Sequence, residues 1–178
     1  GMLRQVPVLA GDAILVPGGT IHCIDKGLLL LEVQQNSNTT YRVYDWGRGR
    51  PLRIGQAIRS MIWTGNPPGK ARLRMSAGDG VNKVWDVLEC RHFRVERLDL
   101  AGPFKAGNDG RSFHAFFVTD GAMEIRAGRR WVAAKAGVSC LVPAAVKEYR
   151  LSPAGGKARA LRISLGRNDP GGTADERR

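Results

Sequence analysis

Residues 11–22 read GDAILVPGGTIH, which puts Gly11, Pro17, Gly19 and His22 in the spacing G-x5-P-x-G-x2-H. Proline and glycine in that order make a tight turn between two strands. Such a turn aims the imidazole of His22 inward, where a neutral ring nitrogen can ligate a metal ion. The plainer reading is a core histidine hydrogen-bonded within the turn. Residues 26–46 follow as KGLLLLEVQQNSNTTYRVYDW. Arg42 offers a planar guanidinium that suits a phosphate or a developing negative charge. Lys26 can meet an anion, and Asn36, Thr39 and Tyr41 can supply hydrogen bonds to a polar ligand. Taken singly, Arg42 is better explained by a solvated strand position, and Lys26 by a surface turn. Gln34 and Gln35 are adjacent and point to opposite faces of a strand, so at most one faces a cavity. Glu32 interrupts an apolar run and needs a partner there, Arg42 or another cation.

The other two histidines, His92 and His114, stand far along the chain. His114, in SFHAFF, lies on an apolar strand and reads as a packed core residue before it reads as a second metal site. Cys23, Cys90 and Cys140 are odd in number and widely spaced. That pattern fits reduced thiols better than a disulfide frame or a zinc knuckle. The net charge is +12. Residues 46–74 hold seven Arg or Lys and no acid. Such an excess suits an anionic small substrate or nucleic acid, but no nucleic-acid-binding motif accompanies it.

These residues need elements to position them. At 178 residues and 43% hydrophobic, the chain can bury a real core. Residues 12–16 predict a strand entering the turn. Residues 28–33 are apolar on both faces and predict a central, buried strand. Residues 40–44 alternate like a strand with one face in a cavity. Over 51–63 the period becomes helical, with Leu52, Ala57, Ile58, Met61 and Ile62 on one face and Pro51 at the start. Residues 65–82 read as a loop. Seven short strands follow from residue 84, which suggests a β-sandwich or jelly roll. Residues 167–178 are polar and Gly-rich and are expected to be disordered. GVSCLVPAAVKE at 137–148 repeats GDAILVPGGTIH, with Pro143 opposite Pro17 and Glu148 opposite His22.

The spacing around His22 resembles the second conserved motif of the cupins, small β-barrels with an internal metal. Residues 26–46 resemble the signature of class I phosphomannose isomerases, and the likeness runs on through the helix at 51–63, Glu89-Cys90 and residues 93–98. The resemblance implies an all-β cupin fold: a partial first cupin over 1–50, a helical connector and loop over 51–83, a second cupin over 84–166 and a tail over 167–178. It implies a zinc enzyme that interconverts mannose 6-phosphate and fructose 6-phosphate. In that pattern His22 is the last zinc ligand and Arg42 the arginine beside the reacting sugar. Lys26, Asn36, Thr39 and Tyr41 would then line the substrate site.

The family's other zinc ligands, a Gln-x-His pair and a glutamate on preceding strands, have no counterpart in this sequence. One histidine does not make a catalytic zinc site, which takes three protein ligands. Three or four strands do not close a barrel, so the open edge is expected to be covered by the second cupin or by another copy of the chain, most simply in a two-fold homodimer. The competing reading is a non-catalytic cupin that binds a sugar phosphate or a protein. With no apolar run long enough for a membrane span and no signal peptide at the start, the expected location is the cytoplasm. Gly1 ahead of Met2 reads as a tag remnant.

Overall fold

A computed structural model describes residues 3–63 and 69–166. It divides into two compact units, Gly1–Ala71 and Arg72–Arg178. The expected disordered tail at 167–178 lies outside the described residues.

The second unit is an antiparallel jelly roll of eight strands: β1 Arg74–Gly78, β2 Lys83–Glu89, β3 Arg94–Leu100, β4 Phe104–Gly107, β5 His114–Ala127, β6 Arg130–Lys135, β7 Ser139–Val142 and β8 Glu148–Ser164. Two long strands organise it. The first part of β5 pairs with β7 and its second part with β6. The first part of β8 pairs with β4 and its second part with β3. β5 and β8 also pair with each other along most of their length, with register shifts between Val118 and Asp120 and between Gly121 and Ala122. The shifts bend both strands, so one pair of strands serves two sheet layers. One layer runs β1-β2-β3-β8-β5-β7 and the other β4-β8-β5-β6.

The core lies between the layers. Val84, Leu98, Phe116, Val118 and Ala160 meet Met123, Ile125, Ala106, Tyr149 and Leu151 in one cluster. Leu98, Val118, Met123 and Leu151 are wholly buried. The alternation of these residues with outward polar ones follows from the two-residue period of a strand. The sequence pattern anticipates most of this. It misses β1, expected to be loop, and β4, and it divides β5 and shortens β8, because bends inside a paired strand look like turns.

The first unit departs from expectation. The one helix among its described residues, α1, covers Ile54–Ser60 and buries Ala57 alone, while Leu52, Ile58 and Ile62 remain exposed. Among the described residues before α1, the only β pairing is the isolated bridge Ile14↔Lys70. The strands expected at 12–16, 28–33 and 40–44 do not form. The run expected to be buried is uncovered: Leu28, Leu30 and Leu31 are exposed and Leu29 is fully so. A central strand needs neighbours on both edges to take its amides and carbonyls, and the described residues of this unit supply none. Glu32 likewise is exposed and takes Gln34 Nε2–H at 3.3 Å in place of a buried cation.

Gly121 carries the bend of β5. Its φ is +67°, and a Cβ there would lie 2.4 Å from the Lys157 carbonyl oxygen. Gly121→Ala is expected to cost the barrel about 1–3 kcal/mol, read as a lower urea midpoint at unchanged slope. An unchanged midpoint would show that the bend does not depend on this residue.

Candidate functional site

The turn that carries His22 is built as the sequence suggests. Thr20 N–H donates to the Pro17 carbonyl at 3.2 Å. Gly19 has φ +83°, and a Cβ would come within 2.6 Å of the Ser60 carbonyl oxygen. Ile62 N–H donates to the Gly19 carbonyl at 3.0 Å, which fastens the turn to the end of α1. A second clip lies nearby: Asp12 accepts Lys70 Nζ at 2.7 Å and Leu9 N–H at 2.8 Å. The Lys70 hydrogen bond, more than any other contact, holds the Asp12 carboxyl below its usual range. The repeat is visible in the backbone, since Val146 N–H closes onto the Pro143 carbonyl at 3.0 Å as Thr20 does onto Pro17.

His22 is exposed, not aimed into a barrel, and its Nδ1 lies 2.9 Å from the Thr20 carbonyl. A carbonyl only accepts, so Nδ1 carries a proton in this contact, and in the neutral ring the lone pair then lies on Nε2. That is the tautomer a metal-ligating histidine adopts when a backbone oxygen holds its other nitrogen.

Arg42 is three-quarters buried and sits 3.6 Å from Asp45 through Nε. Asp45 is the anchor, buried to 7% exposure. It accepts Arg50 N–H at 2.7 Å and a close contact from Arg50 Nε. Burial pushes the Asp45 carboxyl up, but the Arg50 hydrogen bonds and the Arg42 charge outweigh it and hold the group below its usual range. Arg53 N–H donates to the Arg42 carbonyl at 2.8 Å. Arg42 is therefore held at both ends, its guanidinium by an acid and its backbone carbonyl by the start of α1. Asp45 was legible only as part of the 26–46 run; a lone Asp before a Trp-Gly turn carries no sign that it will be buried.

The other expected site residues stand apart. Lys26 is exposed, its N–H on Asp25 Oδ1 at 2.8 Å. Thr39 N–H meets Ser37 Oγ at 3.3 Å, and Asn36 and Tyr41 are exposed. Among the described residues, no hydrogen bond or ion pair links His22, Lys26, Asn36, Thr39, Tyr41 and Arg42 to one another. Nor do any three His, Cys, Asp or Glu side chains among them come together in a way that could hold a metal ion. The residues present do not by themselves fit a zinc centre.

The second unit has a polar end of its own. Asp86, Glu96, Arg162 and Phe116 stand opposite one another across β2, β3, β8 and β5. Glu96 is 3% exposed. Arg162 reaches it through Nε and Nη2, each at 2.7 Å, and Arg94 at 3.2 Å. Burial lowers the affinity of Arg162 for its proton, but the Glu96 hydrogen bond and charge reverse this and leave it raised. Tyr149, pushed up by burial, has its hydroxyl 2.7 Å from His114 Nδ1. A cavity of about 280 Å³ opens here, lined by Arg94, Glu96, Asp109, Arg111, His114 and Arg162. Its arginines are already matched by acids, so the cluster reads as a structural network. His114 was expected to be a packed core residue; it is half-buried and hydrogen-bonded.

Burial, then the Arg162 charge, holds His114 below its usual 6.5. The unfolded chain therefore takes up this proton first as pH falls. Barrel stability is fully present above the unfolded value and declines as pH drops from 6.5 toward the lower folded value. As pH falls below about 7 the wild type should lose stability, and His114→Gln should flatten that part of the curve. Parallel curves would remove His114 as the source.

Residues 84–163 match the family model described as "Mannose-6-phosphate isomerase, cupin domain". The mannose-6-phosphate isomerase ManA of Bacillus subtilis is 31% identical over 84% of this chain and 49% of its own length. The mannose-6-phosphate isomerase of Streptococcus mutans is 32% identical over 84% of this chain and 48% of its own. The chain thus spans about half the length of the curated relatives it matches. A crystal structure of a Bacillus subtilis mannose 6-phosphate isomerase superposes with a TM-score of 0.60, at 20% identity, over 74% of this chain and 42% of that one. That superposition agrees with the jelly roll described above. The chain is a relative of the mannose-6-phosphate isomerases and carries the cupin domain of that family at residues 84–163.

Proposed function

We propose that this chain carries the sugar-phosphate side of a mannose-6-phosphate isomerase, the enzyme type that interconverts mannose 6-phosphate and fructose 6-phosphate. The likeness to ManA and to the Streptococcus mutans enzyme over 84% of the chain carries the proposal. The reaction moves a proton between C1 and C2 of the sugar through an enediol-like state, so negative charge develops on the sugar oxygens. Arg42, held by Asp45, is the residue that meets that charge or the phosphate. Lys26, Asn36, Thr39 and Tyr41 are the substrate contacts in this reading. His22 contributes one ligand to a zinc ion through Nε2, and the remaining ligands come from polypeptide beyond the residues described. Zinc, when bound, supplies Lewis-acid polarisation of the sugar oxygens. The apolar run at 28–31 is covered by a second copy in a homodimer, and the protein acts in the cytoplasm.

A second reading is a binding protein that holds a sugar phosphate without converting it. The lack of any three ligating side chains in one place among the described residues favours it.

Titration calorimetry with mannose 6-phosphate tests the shared claim. The chain should bind it saturably, and Arg42→Ala should weaken binding about tenfold, the loss of one charge-assisted contact. Absence of binding, or binding indifferent to Arg42, would overturn both readings.

A further inference from the structure

The outer face of the barrel carries cations in strict register. Lys105 on β4 stands directly opposite Arg150 on β8. Arg150 stands directly opposite Arg126 on β5, and Arg126 opposite Trp131 on β6. All four side chains are exposed. Residues paired in this way have Cβ atoms about 4.5–5.5 Å apart, and like charges so placed repel. One of the three cations is relieved from within the chain, as Arg126 Nε meets Glu124 Oε1 at 2.9 Å. Among the described residues, Lys105 and Arg150 have no acid within ion-pair distance. A row of this kind lowers stability unless an anion from solution sits on it.

The surface is also shaped for one. A hollow of about 460 Å³ is lined by Lys105, Arg126, Arg150 and Glu148, with Gly107 and Gly128 leaving part of its wall free of side chains. Bare backbone beside two or three cations suits an oxyanion, which takes both guanidinium forks and amide N–H groups. Glu148 stands in the same hollow, and among the described residues no cation lies within ion-pair distance of it. Its carboxylate would repel a second negative group but accept a hydroxyl.

The geometry points to a binding site for a phosphate-type dianion between Lys105, Arg150 and Arg126, on the outside of the barrel. The dianion is free phosphate or the phosphate of a small hydroxylated molecule, with Glu148 taking a hydroxyl in the second case. This site is separate from Arg42 and does not depend on the isomerase reading.

Two measurements on the full chain at low ionic strength test it. In amide NMR, inorganic phosphate should shift Gly107 and Gly128 saturably, and chloride at equal ionic strength should not. Arg150→Gln should weaken that binding about tenfold, as should Lys105→Gln. In thermal unfolding without phosphate, Arg150→Gln should melt above the wild type, because a repulsion is gone. Saturating phosphate should then raise the wild type and leave the variant nearly unmoved. Glycerol phosphate binding more tightly than phosphate, with the preference lost in Glu148→Gln, would identify an organic phosphate as the ligand; equal binding would identify free phosphate. Unshifted glycine amides, the same shifts with chloride, or wild-type phosphate binding by Arg150→Gln would overturn the site. So would a DNA duplex that binds this face while phosphate does not.

Discussion

The pairing of β5 with β8 is the constraint on which the rest of the barrel depends. β3, β4, β6 and β7 each pair directly with one of these two, β2 pairs with β3, and β1 with β2. Because both bend at the same place, near Gly121 on β5 and the 154–158 stretch on β8, one ladder spans two layers. The core residues Val118 and Ala160 lie on one side of the bend, Ile125 and Leu151 on the other. Gly155 and Gly156, both at positive φ, make the bend of β8 possible. A straight β5 would leave one layer without a partner and the core without a second wall.

The polar end follows from the same register. The ladder that sets Val118 beside Ala160 also sets Phe116 beside Arg162, and Arg162 beside Glu96. A buried carboxylate is costly unless it is matched and hydrogen-bonded. Two arginines match this one, and Tyr149 and His114 continue the network. The outer face obeys the same pairing with the opposite result. There the register brings Lys105, Arg150 and Arg126 together with too few acids.

Periodicity made the second unit legible because its strands alternate cleanly around a core they build themselves. His114 and Glu96 gave no local sign of their partners, which come from strands 35 and 66 residues away. In the first unit the sequence pattern is strand-like, yet the described residues form no strand over 12–16, 28–33 or 40–44. An apolar run such as 28–31 states that it wants to be covered, and the covering element is not among the described residues of its unit. The turn at Pro17–Thr20 was legible, since Pro and Gly act through their own backbone. The burial of Asp45, and so the fixing of Arg42, was not, because it depends on Arg50 folding back over it.

The first unit therefore holds Arg42 in place and presents one histidine nitrogen, yet the described residues assemble no metal centre. We propose that the chain binds the sugar phosphate but needs ligands from elsewhere for chemistry. Turnover of mannose 6-phosphate to fructose 6-phosphate by the purified chain, with added zinc and then with chelator, tests this most directly. No turnover is expected in either condition. Zinc-dependent turnover that vanishes in His22→Ala would contradict it, and would mean that this chain assembles the full ligand set itself.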